Sequence, residues 1–170
     1  IFNRIGYHAA GVDHVIAEAG IAKTTLYRHF GSKEELIVAV LRKIDAQYRQ
    51  EMREFVERGS PSPHNKLLAT FDYLGDWFER KTFYGCPFMA AAGEYAERSS
   101  PVFQQAVMHK RLVMAYFEEL ARAAGLTDAE QVAEQIHLLH EGATAIAHVT
   151  GDPAVANRAR SMAQVVLAKV

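Results

Sequence analysis

Residues 11–41, GVDHVIAEAGIAKTTLYRHFGSKEELIVAVL, constrain the chain more than any other stretch. Val12, Val15 and Ile16 begin one apolar face, Ala19-Gly20-Ile21 supplies a tight turn, and a second short helix is expected over about residues 22–28. Gly20 is the residue type that accepts a positive φ at such a turn, because it has no Cβ to clash. The second helix would point Lys23, Thr24, Thr25, Tyr27 and Arg28 outward and hold Leu26 inward. A short basic, hydroxyl-rich helix held by a glycine turn against another short helix has what a DNA-reading element needs. Its donors suit phosphates and base edges, and the Tyr27 side chain offers both an apolar ring and a hydroxyl.

Helical period continues through the rest of the chain, and no alternating strand pattern interrupts it. Ser32 with Glu35 reads as a capping box that opens a long helix with an apolar stripe from Leu36 to Phe55. Gly59-Ser60-Pro61-Ser62-Pro63 is the clearest break, with Ser62 placed to cap and Pro63 at a first helical position. Further helices are expected over about 63–80, from Pro87 to about 98, over about 101–124, from a second capping box at Thr127/Glu130 to about 150, and over about 153–169. Val132, Ile136, Leu139, Ala143 and Ile146 form the core stripe of the penultimate helix. Counting the tail of a helix at residues 1–5, the expected fold is all-α with nine helices.

Charge and cysteine usage narrow the function. The 170 residues carry a net charge of −1 and are 49% hydrophobic, enough for a real core but without a global basic footprint. Residues 1–33 are locally basic, with Arg4, Lys23, Arg28 and Lys33 against Asp13 and Glu18. A basic tip on a neutral body suits a protein that holds DNA by one end. Cys86 is the sole cysteine, so no intrachain disulfide forms, and a reducing cytoplasm is the expected compartment. No apolar run reaches the roughly 18–20 residues that span a bilayer, so no membrane partner is expected.

The stretch AEAGIAKTTLYRHFGSKEELIVAV closely resembles the DNA-binding domain of the TetR family of bacterial transcriptional regulators. The resemblance covers roughly residues 2–41 and joins Ala-Gly, Leu-Tyr, the aromatic pair ending in Phe30, and Ser-Lys-Glu-Glu-Leu at matching spacings. Two positions depart from the family pattern: Ala22 replaces a common capping Ser, and Ile16 replaces a small Ala. FYGCPFMAAAGEY resembles a family subset with an aromatic-Gly-Cys-x-Phe segment followed by a Glu. The resemblance implies a helix-turn-helix domain at residues 1–41, with its first helix truncated, and a six-helix ligand-binding and dimerisation domain at 42–170. It implies a homodimeric repressor on a palindromic double-stranded operator, released by a small inducer, and the apolar residues named below make that inducer mainly hydrophobic.

Site residues follow from the residues and that resemblance together. Lys23, Thr24, Thr25, Tyr27, Arg28, His29 and Lys33 are expected at DNA, with Lys33 on a phosphate beside a helix N-terminus. Tyr73, Trp77, Phe88, Met89, His109, Met114 and His140 are expected at the ligand, with no Lys or Arg aimed inward. The aromatic and methionine set, Met89 and Met108 included, also reads as core. His137, Glu141, Thr144 and His148 on one helix, and Arg158, Met162 and Val165 on the last, are expected at the dimer face. Ala133, Ala147 and Ala159 would allow close approach there.

Metal and enzyme chemistry find less support. Glu134-x-x-His137 has the spacing of half a di-iron motif, but the chain holds no second copy. His137, His140 and Glu141 do not follow the His-Glu-x-x-His order of a zinc protease. No phosphate loop or nucleophile elbow occurs, and no cofactor is expected. The alternatives are a constitutive architectural DNA-binding protein and a helical-bundle metal enzyme.

Overall fold

The computed structural model describes residues 1–59 and 62–168. Ser60 and Pro61 of the expected break, and position 169 at the expected end of the last helix, lie outside the described residues. Among the described residues the chain forms nine helices and no strand. They are α1 Phe2–Ile5, α2 Val12–Ala19, α3 Lys23–His29, α4 Lys33–Gly59, α5 Pro63–Glu79, α6 Pro87–Glu94, α7 Pro101–Ala123, α8 Ala129–Thr150 and α9 Val155–Leu167.

Local chemistry explains most of the boundaries. Proline opens α5, α6 and α7, where its missing N–H costs nothing. The Ser100 hydroxyl accepts the Val102 N–H at 3.2 Å and caps α7. At the head of α4, Ser32 Oγ accepts the Glu35 N–H at 3.1 Å. The Glu35 carboxylate turns back to the Gly31 N–H at 2.8 Å, one residue earlier than a reciprocal box requires. The second box does not form. α8 starts one residue later, with Asp128 as its cap residue and no side-chain cap bond. That places Glu130 too early in the helix to face back.

The chain divides into two compact units, Ile1–Ala46 with Cys86–His109, and Gln47–Gly85 with Lys110–Val170. The sequence boundary after residue 41 differs from this, because α6 and the first part of α7 belong with the N-terminal elements. The first unit has one core, in which Phe2, Tyr7, Leu26, Ile37 and Leu41 join Phe88, Ala91, Val102 and Ala106. The second buries Met52, Val56, Leu67, Phe71, Leu74, Phe117, Leu120 and Ile136.

Three core expectations change. Ile146 is half exposed, while its neighbours Ala143 and Ala147 take the inward positions. Met89 and Met108 are also exposed. Ala133, Ala147 and Ala159 are spent within the second unit's own core, not on an outer face. Gly75 faces Ala156 in the same way, where an added Cβ would lie 3.7 Å from the alanine methyl. Small side chains bring α5, α8 and α9 close together.

Candidate nucleic-acid interface

The turn between α2 and α3 takes the form its residues require. Gly20 is left-handed at φ 65°, its N–H donates to the Ala17 carbonyl, and the Ile21 N–H reaches back to the Ile16 carbonyl. This crossed pair is a Schellman closure, which satisfies the last carbonyls of α2 and turns the chain into α3. Ala22 stands at the α3 cap position with extended backbone and no side-chain cap bond, as its methyl dictates.

On α3, Leu26 alone is buried, within the first unit's core. Lys23, Thr24, Tyr27, Arg28 and His29 are exposed and Thr25 is half-buried. Tyr27 is 44% exposed, a large ring left in solvent on a helix only seven residues long. The structure therefore brings six of the seven expected DNA residues onto one short element. The seventh, Lys33, starts α4 and donates from Nζ to the His8 carbonyl at 3.0 Å. It is half-buried there and ties the α1–α2 turn to the head of α4.

Carboxylates already hold part of the positive charge. Lys23 Nζ pairs with Asp13 Oδ1 at 3.0 Å across the turn. That hydrogen bond, with the Asp13 charge, holds the ammonium above the ordinary lysine range. Arg4 pairs with Glu18 at 3.2 Å. Arg28 has no carboxylate partner among the described residues and projects from the exposed face.

Glu94 is the residue of this unit that residue-by-residue reading missed. Its Oε1 accepts the Tyr7 N–H at 2.7 Å and its Oε2 accepts the His8 N–H at 2.6 Å. The Tyr7 hydroxyl donates to the Pro87 carbonyl at 3.0 Å, and the His8 ring stacks on Tyr95 with centroids 4.6 Å apart. One carboxylate at the end of α6 thus closes the turn between α1 and α2. The signal was present in the segment resemblance, which includes a Glu at this place, but spacing gives no partner for it. Beside it lies an open groove of about 520 Å³, lined by His8, Glu34, Glu94, Tyr95 and Glu97 among others. None of the residues expected at the ligand lines it.

Those ligand residues separate. Phe88, Met89 and His109 lie in the first unit, and Tyr73, Trp77, Met114 and His140 in the second. Within the first unit Phe88 and His109 face one another. Met89 lies in solvent, and the Phe88 ring is spent on His109, stacked at 3.6 Å. In the second unit Trp77 stands edge-on to Tyr48 and Phe83, at 5.3 and 4.9 Å. His140 is buried against Phe71 and Phe117. On α8 a half-buried carboxylate gathers two basic partners: Lys110 Nζ lies 2.5 Å from Glu141 Oε2, and His137 Nε2 lies 3.4 Å from Oε1. Burial opposes the Glu141 charge, but the His137 and Lys110 contacts outweigh it and hold the carboxyl down at about 2.

The expected dimer residues are also redistributed. Thr144 is 4% exposed and donates its hydroxyl to the His140 carbonyl, so it belongs to the core. Glu141 and His137 are half-buried and paired with each other. His148 lies over Gly85, where an added Cβ would sit 2.6 Å from its ring. Arg158 pairs with Asp152 at 2.6 Å, while Met162 and Val165 are exposed. The face that α8 does leave open carries Leu138, Ile146 and Val149, with Leu138 72% and Val149 83% exposed.

Comparison with known proteins agrees with this geometry. Residues 1–40 match the family described as bacterial regulatory proteins, tetR family. Residues 63–163 match the tetracyclin repressor-like C-terminal domain. The chain is 30% identical over 127 residues to the HTH-type transcriptional activator FasR of Mycolicibacterium smegmatis, covering 74% of this chain and 56% of FasR. It is 26% identical over 95 residues to the HTH-type transcriptional repressor NemR of Escherichia coli, covering 55% of this chain and 48% of NemR. The fold is similar to SCO4454, a TetR-family transcriptional regulator from Streptomyces coelicolor, with a TM-score of 0.92 and 29% identity. That similarity covers 100% of this chain and 89% of SCO4454.

Proposed function

We propose that this chain, which belongs to the TetR family of bacterial transcriptional regulators, represses transcription as a homodimer on a palindromic operator and leaves it when a small ligand binds. The observation that carries the reading is α3: Tyr27, Arg28 and the hydroxyls of Thr24 and Thr25 on one face, locked from below by Leu26. Repression needs only occupancy of the operator, whereas activation needs a further surface for polymerase. FasR is named an activator and NemR a repressor, so transcription in vitro decides the sign for this chain. Binding the chromosome puts its working place in the cytoplasm.

The dimer reading rests on the open apolar face of α8 and α9, formed by Leu138, Ile146, Val149, Met162 and Val165. Gly142 and Ala145 lie on the same side of α8 by helical spacing and leave room for a partner helix. The ligand reading rests on the aromatic group around Trp77 in the second unit, with Tyr48, Tyr73 and Phe83 beside it. An aromatic group of this kind would favour a mainly hydrophobic ligand, with the Arg80–Glu51 pair beside Tyr73 as a polar edge. Trp77 emission reports on that site directly.

Two α3 helices of a dimer set about 34–36 Å apart reach successive major grooves. A palindromic duplex selected from a random pool is therefore expected to bind with a salt slope of about −0.9 per phosphate neutralised. Lys33→Ala should weaken specific and random duplexes alike and flatten that slope. An unchanged slope removes Lys33 from the phosphate contacts.

A further inference from the structure

We infer that the buried Asp45–His109 pair is a positioning device for DNA binding, which fixes the register of α4 against α7 inside the DNA-binding unit. Asp45 Oδ1 lies 2.8 Å from His109 Nδ1, and the two side chains are only 7% and 5% exposed. The His109 ring is held flat on Phe88 of α6, with centroids 3.6 Å apart and planes 7° from parallel. α4 and α7 thus meet at a buried, directional polar contact, and α6 holds its imidazole by stacking.

The pairing sets a register. One turn earlier, Arg42 Nε donates to Gln105 Oε1 at 3.3 Å, so partner numbers rise together and α4 and α7 run the same way here. A slip of one helical turn, about 5.4 Å, brings Gln105 opposite Asp45 in one direction, which leaves the buried His109 ring without its carboxylate, and Val113 in the other. Val113 is itself buried and offers no donor, so that register strands a carboxylate in the core. An apolar pair at these positions would tolerate the slip. The register matters to DNA because the same half of α4 carries Leu36, Ile37 and Leu41 into the cluster that holds Leu26 of α3. Where α4 sits decides where α3 sits.

Buried ion pairs are often replaceable by apolar residues with no loss of stability, while their best-attested use is fixing register. The two roles therefore separate experimentally. The inference rests on the DNA-binding reading, and the full chain tests both. A duplex is selected from a random-sequence pool by the wild-type protein. Its affinity, the salt slope and the urea midpoint are then measured for wild type, Asp45→Leu/His109→Phe and Asp45→Asn. The double variant keeps the stack on Phe88 and is expected to match or exceed the wild-type midpoint. It is also expected to bind the duplex at least tenfold more weakly with an unchanged salt slope, since no phosphate contact is lost. Asp45→Asn keeps an acceptor for the His109 Nδ1–H and should recover most of the affinity. A stable double variant that binds as wild type overturns the inference. Should the double variant fail to fold, His109→Asn and His109→Phe are compared. The first keeps a donor where Nδ1 stands and should bind the tighter; equal affinities overturn the inference. A wild-type chain that selects no duplex overturns the DNA-binding reading and this inference with it.

Discussion

Replacing Glu94 by Gln probes the DNA-binding unit through a single atom. The carboxylate accepts two backbone N–H groups, from Tyr7 at 2.7 Å and His8 at 2.6 Å. Both bonds are charge-assisted, the stronger class of hydrogen bond. Gln keeps the shape and one acceptor, but its amide nitrogen must face the other N–H, donor against donor. Loss of one such bond costs roughly 1.5–3 kcal/mol. At about 2–4 °C per kcal/mol for a chain of this size, the melting midpoint should fall by roughly 3–12 °C. Ala removes both acceptors. The His8 N–H lies at the solvent edge and recovers a water bond, so the Ala variant should fall no more than about twice as far. The assay is a thermal scan beside duplex affinity by anisotropy. Affinity should drop with the midpoint, because His8 also holds Lys33 through its carbonyl. A Gln variant melting within about 1 °C of wild type would refute the claim that this carboxylate closes the α1–α2 turn.

Three further outcomes are expected. Leu138→Asp places a charge on the open face of α8, and sedimentation should show monomer at concentrations where the wild type is a dimer; an intact dimer puts the interface elsewhere. The Glu141 carboxyl is held at about 2, below its ordinary 4.5, so its stabilising contribution is present above the ordinary value and lost as pH falls towards the depressed one. The stability difference between wild type and Glu141→Gln should thus shrink as pH falls below the ordinary carboxyl range towards the depressed one, and a difference that grows there contradicts the assignment. Gly85 combines φ +80° with a Cβ position 2.6 Å from the His148 ring, so Gly85→Ala should destabilise by about 1–3 kcal/mol. Adding His148→Ala should recover the clash but not the backbone strain, and a simple sum of the two single effects would argue against the contact.

The helix-turn-helix was legible because every instruction for it is local. Gly20 needs only its own φ, Leu26 only its own period, and Ala22 only its lack of an acceptor. The helix bounds elsewhere were legible for the same reason, wherever proline or glycine marked them. The Thr127/Glu130 box failed because a cap is decided by which residue the helix starts on, and Asp128 competed for that place one position along. Glu94 was not legible from spacing, because its partners Tyr7 and His8 lie 87 and 86 residues away. The division into units moved for the same reason. A local pattern cannot say that α6 returns to close the first turn of the chain.

The misassigned residues of α8 have a different cause, and it bears on the dimer. A helix packed on one side shows one apolar stripe, and period then identifies the buried face. α8 carries two. Val132, Ala133, Ile136, Ala143 and Ala147 are spent inside the unit, and Leu138, Ile146 and Val149 point away from it. Period alone ranks the two stripes by width and bulk, and so it put Ile146 inside and the small alanines at a partner. Packing reverses that order, because the close approach of α5, α8 and α9 needs small residues such as Gly75, Ala156 and Ala159. The bulky side chains are then left without cover. Single exposed apolar residues need no explanation, but a row of them on one helix, with Met162 and Val165 also exposed on the next, is what an interface would require. A monomer would keep that surface in water, and a second copy offers the same row in return. A two-fold arrangement matches like with like, which is why a self-complementary apolar strip fits a homodimer better than an unrelated partner.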